Sequence, residues 1–456
     1  MIVVSHRGPF RFVREGDGFT AQRGAGGVVS ALSPLLRPDA PPTTWIAASL
    51  SEDDLAAQRS GATRAVGVEL VLVELDPDDH RLHYDLVSNG VLWFLLHGMF
   101  DKVRRPRFDA RFREAWDAYV RVNERFAGLV ADHAPGDDVV LVQDYQFMLV
   151  PGALRERRPD LRVLHFVHTP FCDPQDARVL PHDVAHRIFT ALAPGPQGFH
   201  TKRWATAYRR SSREVLGARA RVAAPFVASL GPDLDALTTT AASPAARARA
   251  AALDELVGDR RMLVRADRIE PSKNIVRGFL AFDRLLEARP GLRGRVVFVA
   301  MLYPSRQSLP EYLAYANEVE HVVARVNERW STRDWTPIVL DGTDDFPRSV
   351  AAMERYDVLL VNPIRDGLNL VAKEGPAVNR RDGVLCLSRE AGAFDELRAA
   401  AFEVHPFDIE QTAAALDDAL ALPLDERAAT AAKLRRLACA RTPEAWLADL
   451  LAEAKA

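Results

Sequence analysis

This sequence contains few cysteines and has no long apolar run. The 456 residues include three cysteines, Cys172, Cys386 and Cys439, which lie far apart and form no Cys-x-x-Cys pair. An odd, sparse count disfavours a disulfide scaffold and gives no support for a zinc site. The longest apolar runs, such as residues 91–96, are far too short to cross a bilayer, so we expect no membrane partner.

The first residues do not have the pattern of a targeting segment. Residues 1–4 predict a first strand, because the polar residues Ser5, His6 and Arg7 follow directly. A secretory signal would need a longer apolar core and a cleavage site. We therefore expect a soluble, cytoplasmic protein.

A large charge of one sign is also lacking, since the formal net charge is −3 and no long basic block occurs. Nucleic-acid-binding proteins carry a basic patch or stripe, so we expect no nucleic-acid partner. The arginine-rich pieces at residues 155–158 and 209–213 are short, as is typical of solvated helix faces. The sequence contains no P-loop, no His-Glu-x-x-His motif and no Ser-His-Asp series.

Short apolar runs alternate with helical patterns along the whole chain. Hydrophobic residues make up 48% of the sequence, so large cores can form. This rhythm predicts an α/β fold with parallel sheets and helices on both faces. Helices are expected at residues 109–132 and 312–328, among others. The predicted strands are residues 2–4, 45–48, 68–75, 139–142, 163–167, 221–226, 262–264, 296–300, 337–340, 358–361, 384–387 and 402–404.

The two series of strands predict two Rossmann-like domains. We place the boundary near residues 233–245, where Pro, Asp, Thr and Ala replace the strand pattern. The assignment is residues 1–235 for the first domain, 236–442 for the second, and 443–456 for a last helix that packs back across the domains. Open parallel sheets bind ligands at the carboxyl ends of their strands, so we expect a ligand in the cleft between the domains.

One segment combines a buried strand, a sharp turn and the start of a helix. Residues 357–361 predict the strand, residues 366–367 signal the turn, and the helix from Leu370 meets no breaker until residues 375–376. The free N–H groups of such a helix start can bind phosphate. Glu374, one helical turn later, would reach the hydroxyls of a bound sugar. An ordinary strand-to-helix connection is an equally good interpretation.

A glycine-rich stretch at residues 24–29 is a defective dinucleotide-binding fingerprint. Val29 stands in place of the third glycine, and no acidic residue follows at a clear strand end, which disfavours a dehydrogenase. We interpret the stretch as a flexible loop whose backbone can approach a ligand closely. A plain surface turn is the alternative.

Several cations follow predicted strands. Arg268 and Lys273 follow residues 262–264, and a guanidinium together with an ammonium can neutralise a diphosphate. Arg7 and Arg306 also follow strands, which suits an anionic ligand. For any single arginine or lysine, an ordinary surface charge is the commoner role.

Other candidates are neutral or acidic. Asp144 and His168 follow adjacent predicted strands, where they would act in catalysis or bind a sugar. A structural histidine is the alternative for His168. Tyr84 and Trp93 flank polar residues and could form a sugar-binding wall, although packing in the core is the default for either ring.

Together these segments resemble the trehalose-6-phosphate synthases, a family of retaining glycosyltransferases with two facing Rossmann domains, the GT-B architecture. The landmarks occur in the family's order along nearly the whole chain. They are residues 3–7, Gly26 with Gly27, residues 84–93, 144–145 and 168–171, Arg268 with Ser272 and Lys273, Ser305 with Arg306, and residues 365–374.

The resemblance implies a role for each landmark on the acceptor side. Arg7, Tyr84, Trp93 and Arg306 would hold the phosphate of glucose 6-phosphate. Asp144 would bond hydroxyls of the acceptor sugar. The expected partners are therefore a sugar phosphate acceptor and a nucleotide-sugar donor.

On the donor side, the resemblance implies that Arg268 and Lys273 stabilise the departing nucleoside diphosphate. It also implies that His168 and Asp366 form hydrogen bonds to the donor glucose. Cations and amides then meet the phosphate charge, so we expect no metal and no cofactor. The resemblance assigns the donor phosphates and ribose to Gly26, Gly27, the amides of Asn369, Leu370 and Val371, and Glu374.

The implied reaction is a front-face substitution that retains configuration. Charge develops on the leaving phosphate, and fixed cations and amides there lower the barrier. The leaving oxygen can take the proton of the acceptor hydroxyl, so no protein nucleophile is needed. Domain closure would exclude water and favour transfer over hydrolysis.

Several positions depart from the family pattern. His6 stands where Asn is usual, and glutamines flank residues 144–145 where histidines are usual. Pro271 and Asn274 resemble validoxylamine phosphate synthase, a related pseudo-glycosyltransferase that couples cyclitols. That enzyme's counterpart of residues 366–374 is altered, whereas this sequence keeps the ordinary form.

The donor base is addressed by a further hypothesis. In the family, an apolar or aromatic residue about twenty positions before Asp366 borders the nucleobase, and the corresponding loop here contains Asp344 and Asp345. An aspartate can accept from both N1–H and N2–H of guanine, whereas uracil offers one such donor. We therefore predict that GDP-glucose is preferred to UDP-glucose. The alternative is that both carboxylates cap a helix that starts near Pro347.

Three functions remain open from the sequence. The first is a trehalose-6-phosphate synthase, and the second is a relative that uses a cyclitol phosphate or glycerol phosphate acceptor. The third is a non-catalytic sensor of sugar phosphates, which the intact Arg268, Lys273 and Asp366 disfavour. A homo-oligomer is compatible with the sequence, which does not fix the oligomeric state.

Overall fold

The computed structural model describes residues 1–24 and 27–455, which fall into two compact units. The first unit comprises Met1–Leu230 and the carboxyl-terminal segment from Pro443, and the second comprises Gly231–Thr442. Each unit contains its own parallel sheet. The prediction of an α/β fold with two domains built on parallel sheets is therefore confirmed.

The first unit is built on a parallel sheet of buried apolar strands. The strands of this unit, including a separate hairpin of β2 and β3, are β1 (Ile2–Ser5), β2 (Phe10–Glu15), β3 (Gly18–Arg23), β4 (Thr44–Ala48), β5 (Glu69–Val73), β6 (Val139–Gln143), β7 (Arg162–Val167), β8 (Gln197–Phe199) and β9 (Phe226–Val227). The order in the sheet is β5-β4-β1-β6-β7-β8-β9. Strands that are buried on both faces become continuous apolar runs, which is why the sequence predicts most of them.

Helices cover this sheet. The long helix Ala110–His133 contributes Val122 and Phe126 to a core cluster that also contains Val4 and Val140 of the sheet. The helices of the first unit, including 3₁₀ turns and the π-helix Leu82–Leu92, are Gly27–Ala31, Ser33–Leu36, Glu52–Ser60, Ala62–Val66, Pro77–Arg81, Leu82–Leu92, Trp93–His97, Ala110–His133, Tyr145–Phe147, Val150–Arg157, Pro174–Ala177, His182–Leu192, Lys202–Leu216 and Pro443–Lys455.

The second unit has a second parallel sheet. Its strands are β10 (Arg261–Ile269), β11 (Val296–Pro304), β12 (Ile338–Asp341), β13 (Val358–Val361), β14 (Val384–Ser388) and β15 (Phe402–Val404). The order is β12-β11-β10-β13-β14-β15. The central strands β10 and β11 are the longest, and they pair in parallel as far as Ile269 opposite Pro304. Their carboxyl ends therefore lie side by side.

The core of the second unit lies between this sheet and its helices. Phe279 and Phe282 of one helix pack edge-on against Phe298 of β11, each with ring centroids 5.3 Å apart. The helices, including 3₁₀ turns, are Leu234–Ala241, Pro244–Val257, Pro271–Lys273, Ile275–Ala288, Pro290–Leu292, Pro310–Trp330, Phe346–Arg355, Val371–Val378, Phe394–Leu397, Ile409–Ala421 and Leu424–Ala438.

The strand predicted at residues 221–226 is largely wrong. Only Phe226–Val227 forms a strand, because Pro225 has no N–H to donate to a ladder. The strand Gln197–Phe199 was not expected. It contains three residues, which is too short for a hydrophobic pattern to stand out.

A β-hairpin near the amino terminus was also not expected. Phe10–Glu15 and Gly18–Arg23 pair in antiparallel register. The two residues between them include Gly16, whose φ is +59°. Glycine adopts this left-handed conformation readily, so the glycines at positions 16 and 18 are a hairpin signal in the sequence.

The helix that follows β13 does not stop at residues 375–376, as the sequence predicted, but continues to Val378 with Pro376 inside it. Tertiary packing explains why. A Cβ atom at Gly375 would lie 2.5 Å from Leu359 Cδ2, so glycine allows the helix to approach β13 closely. This contact outweighs the weak local propensity of a Gly-Pro pair.

The last helix, Pro443–Lys455, belongs to the first unit. Trp446 is completely buried there, and its ring meets Phe166 of β7 edge-on at 5.1 Å. None of the helices in the described ranges combines the length and the apolar character that crossing a bilayer requires.

Candidate active site

An ion pair occupies the carboxyl end of the second unit's sheet. Lys273 ends the 3₁₀ turn after β10, and Asp366 lies in the loop after β13. Because β10 and β13 are neighbours, Lys273 Nζ comes within 2.8 Å of Asp366 Oδ2. A backbone hydrogen bond from Ile364 to Ser272, 2.8 Å long, ties the two loops together.

The charge of Lys273 is maintained by its surroundings. Burial alone lowers the pKa of the ammonium group, but the carboxylates of Asp366, Asp267 and Glu270 outweigh this effect, and the pKa is raised above its ordinary value. Lys273 is therefore charged at neutral pH. A cation held in a largely buried position interacts strongly with an anionic ligand.

Asp366 is fixed by the turn that follows it. Asn369 adopts a left-handed φ of 71°, and its side-chain amide donates to Asp366 Oδ2 at 3.2 Å. The Leu368 backbone amide donates to Asp366 Oδ1 at 3.3 Å. Two hydrogen bonds and the ion pair thus hold the carboxylate in one orientation.

The helix after this turn begins at Val371. Backbone amides of Ala372 and Lys373 donate to the carbonyls of Asn369 and Leu370, at 3.3 and 2.8 Å. The three amides assigned to the diphosphate, at residues 369–371, come immediately before these donors. Amides at a helix start carry partial positive charge, so their position suits a phosphate.

Glu374 lies in the first turn of the same helix. Burial, and to a lesser extent the nearby Asp233, raises the pKa of its carboxyl group from 4.5 to about 7. The group is therefore close to half protonated at neutral pH. A carboxylate in this state can change its charge when a ligand supplies hydroxyl donors.

Replacing Glu374 by glutamine is expected to stabilise the folded protein at pH 8 and to have a much smaller effect at pH 5. Below about 4.5 both states of the wild type are protonated, and stability is lost as the pH rises from there to the folded-state pKa of about 7. Neutral glutamine avoids this loss, so its melting temperature at pH 8 should be higher by roughly 2–4 °C. Thermal unfolding at both pH values measures the difference.

The exposed Glu320 on helix Pro310–Trp330 provides the control. Glu320→Gln should show the same small shift at both pH values. Equal shifts at pH 5 and pH 8 in Glu374→Gln would show that burial does not raise the pKa of this carboxyl group.

A second charged group lies beside the ion pair, at the ends of β10 and β11. Arg268 Nη1 lies 3.2 Å and Arg306 Nη1 lies 3.7 Å from the same oxygen, Glu270 Oε1. Arg306 has a left-handed φ of 46° and donates from Nη1 to the Tyr312 hydroxyl at 2.5 Å. The structure thus brings together Arg268 and Arg306, which the sequence assigned to different substrates.

In the first unit, Asp144 and His168 lie together at the ends of β6 and β7. Asp144 has an unusual φ of 69°, and its Oδ1 accepts a hydrogen bond from the His168 backbone amide at 3.2 Å. The His168 ring contacts Gln143 Oε1 through Nε2 at 2.9 Å and His200 Nε2 through Nδ1 at 3.2 Å. Burial, with a smaller effect of His165, lowers the pKa of His168 to about 3, so the ring is neutral.

The remaining acceptor candidates lie near the end of β1. Arg7 is exposed, and its neighbour His6 stacks on Tyr84 with ring centroids 4.0 Å apart and planes 10° apart. Trp93 is 2% exposed and stacks on His97 at 4.1 Å. Arg7 and Tyr84 therefore share one part of the unit, whereas the Trp93 ring packs within the core.

The structure describes part of the glycine-rich stretch at residues 24–29. Gly27 is the first residue of the short helix Gly27–Ala31, so it does not lie in the loop that the sequence predicted. Val29 and Ala31 of this helix are buried. Gly26 lies outside the described residues.

The two aspartates proposed to read the base have different environments. Asp345 caps the helix Phe346–Arg355, as its Oδ1 accepts from the Arg348 amide at 3.0 Å, and its Oδ2 accepts from Arg249 at 2.8 Å. Capping, the alternative interpretation, therefore applies to Asp345. Asp344 is exposed, and the adjacent Phe346 is 47% exposed.

Glu270 is not among the site residues that the sequence predicts. In the structure it is 2% exposed and lies among cations. Its environment depends on the register of β10 and β11, and no local pattern in the sequence reports that register.

Comparison with known proteins identifies the family and the fold. Residues 1–456 match the family described as Glycosyltransferase family 20. A crystal structure of an α,α-trehalose-phosphate synthase (UDP-forming) from Burkholderia vietnamiensis superposes with a TM-score of 0.84 at 28% identity, covering 100% of this chain and 99% of that one. The resemblance in fold extends over both units, so the predicted GT-B fold is confirmed.

Two sequence relatives are informative. Trehalose-6-phosphate synthase of Mycobacterium avium (strain 104) is 34% identical over 474 residues, which cover 99% of this chain and 94% of that protein. α,α-Trehalose-phosphate synthase [UDP-forming] 1 of Arabidopsis thaliana is 31% identical over 94% of this chain, which spans about half of its length, 46%. The family suggested by the sequence motifs is confirmed. The chain belongs to glycosyltransferase family 20, the trehalose-6-phosphate synthase family of retaining GT-B glycosyltransferases.

Proposed function

We propose that this protein is an α,α-trehalose-6-phosphate synthase, which transfers glucose from a nucleoside diphosphate glucose to glucose 6-phosphate with retention of configuration. The observation that carries the proposal is the largely buried pair of Lys273 and Asp366, 2.8 Å apart, beside the helix start at Val371. It combines a cation, a carboxylate and the amides of a helix start. Relatives with the same name support the assignment.

In this proposal most residues that bind the nucleotide-sugar belong to the second unit. Arg268 and Lys273 neutralise the diphosphate, which the amides of residues 369–371 also bind. Asp366 and the neutral ring of His168 bond the donor glucose, and Glu374 bonds the ribose hydroxyls.

We assign the phosphate of glucose 6-phosphate to Arg7, Tyr84 and Arg306, whereas the Trp93 ring is buried in the core. Asp144 accepts from hydroxyls of the acceptor sugar, and the hydrogen bond between its Oδ1 and the His168 amide fixes its position.

The chemistry then follows from where charge develops. The bond between the donor glucose and the diphosphate breaks as the acceptor hydroxyl attacks the same face, and the leaving oxygen takes the hydroxyl proton. Negative charge accumulates on the diphosphate, where Lys273, Arg268 and the helix-start amides are already placed. The cations need no reorganisation, because ion pairs hold them before the substrate binds.

Release of nucleoside diphosphate tests the proposal directly. UDP-, GDP- and ADP-glucose are each combined with glucose 6-phosphate, glycerol 3-phosphate and a cyclitol phosphate, and the product is identified by mass spectrometry and NMR. We expect an α,α-linked disaccharide phosphate with glucose 6-phosphate. No release with glucose 6-phosphate under any donor would contradict the assignment, and exclusive use of a cyclitol phosphate would favour the pseudo-glycosyltransferase alternative.

Asn274, one of the residues that resemble validoxylamine phosphate synthase, has a structural role in this chain. Its side-chain amide donates to the carbonyls of Asn362, at 3.0 Å, and Pro406, at 2.6 Å. Its φ is 57°. Asn274 therefore joins three loops below the site, so its identity does not favour a cyclitol acceptor.

The donor base is a separate question, since the relatives in plants and Burkholderia are named UDP-forming. The proposed preference of the enzyme for GDP-glucose therefore rests on Asp344, because both oxygens of Asp345 already accept hydrogen bonds. If Asp344 reads guanine, Asp344→Ala should lower the GDP-to-UDP ratio of kcat/KM by about tenfold or more. Steady-state kinetics with both donors measures that ratio.

The exposed Asp334, in the same unit, provides a matched control. Asp334→Ala should leave the GDP-to-UDP ratio unchanged. An unchanged ratio in Asp344→Ala, or a wild type that prefers UDP-glucose, would show that this loop does not select guanine.

A further inference from the structure

We propose that Glu270 is a positioning residue that fixes both the donor-side cation Arg268 and the acceptor-side cation Arg306. The inference rests on the proposed function, which assigns these arginines to two different phosphate groups. It adds a residue that contacts neither substrate but prepares the site for both.

The register of the central strands creates this arrangement. In the pairing of β10 with β11, Arg268 lies opposite Tyr303 and Ile269 lies opposite Pro304. The next residues, Glu270 and Ser305, therefore come side by side as the strands end. Ser305 donates its hydroxyl to Glu270 Oε1 at 3.1 Å, which anchors the carboxylate between the two strand ends.

Both arginines then meet at one oxygen. Arg268 Nη1 lies 3.2 Å and Arg306 Nη1 lies 3.7 Å from Glu270 Oε1. The side chain of Glu270 is 2% exposed and that of Arg306 is 10% exposed, whereas Arg268 is 46% exposed. The carboxylate is thus the buried end of the cluster, and the Arg268 guanidinium is the end open to solvent.

The negative charge of this cluster comes from Glu270. The Tyr312 hydroxyl also touches Arg306, but burial raises the pKa of Tyr312, so the phenol is neutral. Without Glu270, two guanidinium groups would face each other at short range and repel. Long, flexible arginine side chains would then adopt other rotamers and lose their orientation toward phosphate.

A direct role in the reaction does not fit this residue. A carboxylate close to a phosphate would repel it, and Oε1 already accepts from Ser305 and forms ion pairs with both arginines. The benefit of Glu270 is that the arginines are ordered before the substrates bind, so that less conformational entropy is lost on binding. Loss of the Glu270 charge should therefore weaken the binding of both substrates.

Glu270→Gln tests this inference, because it keeps the shape and a carbonyl oxygen for Ser305 but removes the charge. We expect KM for the donor and KM for glucose 6-phosphate each to rise by about tenfold, with a smaller change in kcat. Glu270→Asp keeps the charge and should recover most of both losses. Glu287→Gln, which removes an exposed carboxylate that pairs with Arg329 and Arg284, should change neither KM.

A double-mutant cycle separates positioning from general destabilisation. In an Arg306→Ala background, Glu270→Gln should no longer raise KM for glucose 6-phosphate but should still raise KM for the donor. A purely structural defect would add the same loss in both backgrounds. Fully additive effects, or a change in only one KM, would overturn the inference.

Failure of the Glu270 inference can be distinguished from failure of the proposed function. A wild type without turnover would remove the proposed function, while calorimetry of UDP, GDP and glucose 6-phosphate binding would still compare Glu270→Gln with the wild type. Unchanged affinities, or unchanged KM values in an active enzyme, would show that Glu270 does not position the arginines. If Glu270→Gln fails to fold, Glu270→Asp carries the test, with smaller rises expected in both KM values.

Discussion

Replacing Lys273 by methionine is expected to lower kcat by roughly 10²- to 10³-fold, the loss found when one preorganised stabilising group is removed from an active site. Lys273 Nζ lies 2.8 Å from Asp366 Oδ2, and its side chain is 16% exposed. Nearby carboxylates keep it charged despite burial. In the proposed mechanism its ammonium is fixed where the leaving diphosphate gains charge, and methionine offers similar length without that charge.

The effect should appear mainly in kcat, because charge on the leaving group increases in the transition state. Steady-state kinetics with saturating glucose 6-phosphate measures it. Lys433 is exposed on the helix Leu424–Ala438 of the same unit, so Lys433→Met is a matched control that should keep wild-type kcat.

Loss of Lys273 also leaves the Asp366 carboxylate without its cation. Removing one partner of a largely buried pair destabilises a protein, so the melting temperature of Lys273→Met must be compared with that of the wild type. Assays below both melting temperatures separate the two effects. Near-normal kcat in a folded Lys273→Met variant would contradict a role for the ammonium in leaving-group stabilisation.

The sheets could be predicted from the sequence because parallel strands that are buried on both faces are apolar throughout. Val358–Val361 of β13 is an example, with four buried residues. The hairpin of Phe10–Glu15 and Gly18–Arg23 was missed because one side is solvated, so that its apolar residues are few. Its evidence lay in the glycines of the turn.

The candidate site was predictable as a set of residues at strand ends, but the contacts among them were not. Lys273 and Asp366 are 93 positions apart, and only the order of the strands makes β10 and β13 neighbours. The same limitation applies to Glu270 and Arg306. Their contact requires the register of β10 and β11, which depends on packing over the whole sheet.

Removing the Arg306 guanidinium is expected to lower kcat/KM for glucose 6-phosphate by roughly 10²- to 10³-fold, the usual loss when one member of a buried charge pair is truncated. Arg306 is held by the Tyr312 hydroxyl and by Glu270, and its side chain is 10% exposed. An arginine that is ordered in advance binds phosphate with two parallel hydrogen bonds.

Unphosphorylated glucose, used as a poor acceptor, gives the sharper measurement. Arg306→Ala should not weaken use of glucose, because glucose lacks the phosphate group that we propose Arg306 to bind. The ratio of kcat/KM for glucose 6-phosphate to that for glucose should therefore fall almost as far as kcat/KM for glucose 6-phosphate itself. Arg329→Ala, an exposed arginine of the same unit, should leave the ratio unchanged.

Arg306→Lys distinguishes charge from geometry. Lysine keeps the positive charge but not the planar fork, so it should recover only part of the loss. An equal loss of kcat/KM with glucose and with glucose 6-phosphate in Arg306→Ala would contradict a role in binding the acceptor phosphate. Arg306 would then act through Glu270 and Arg268 on the donor side, since both arginines share Glu270 Oε1, and the acceptor phosphate would have to be bound by other residues.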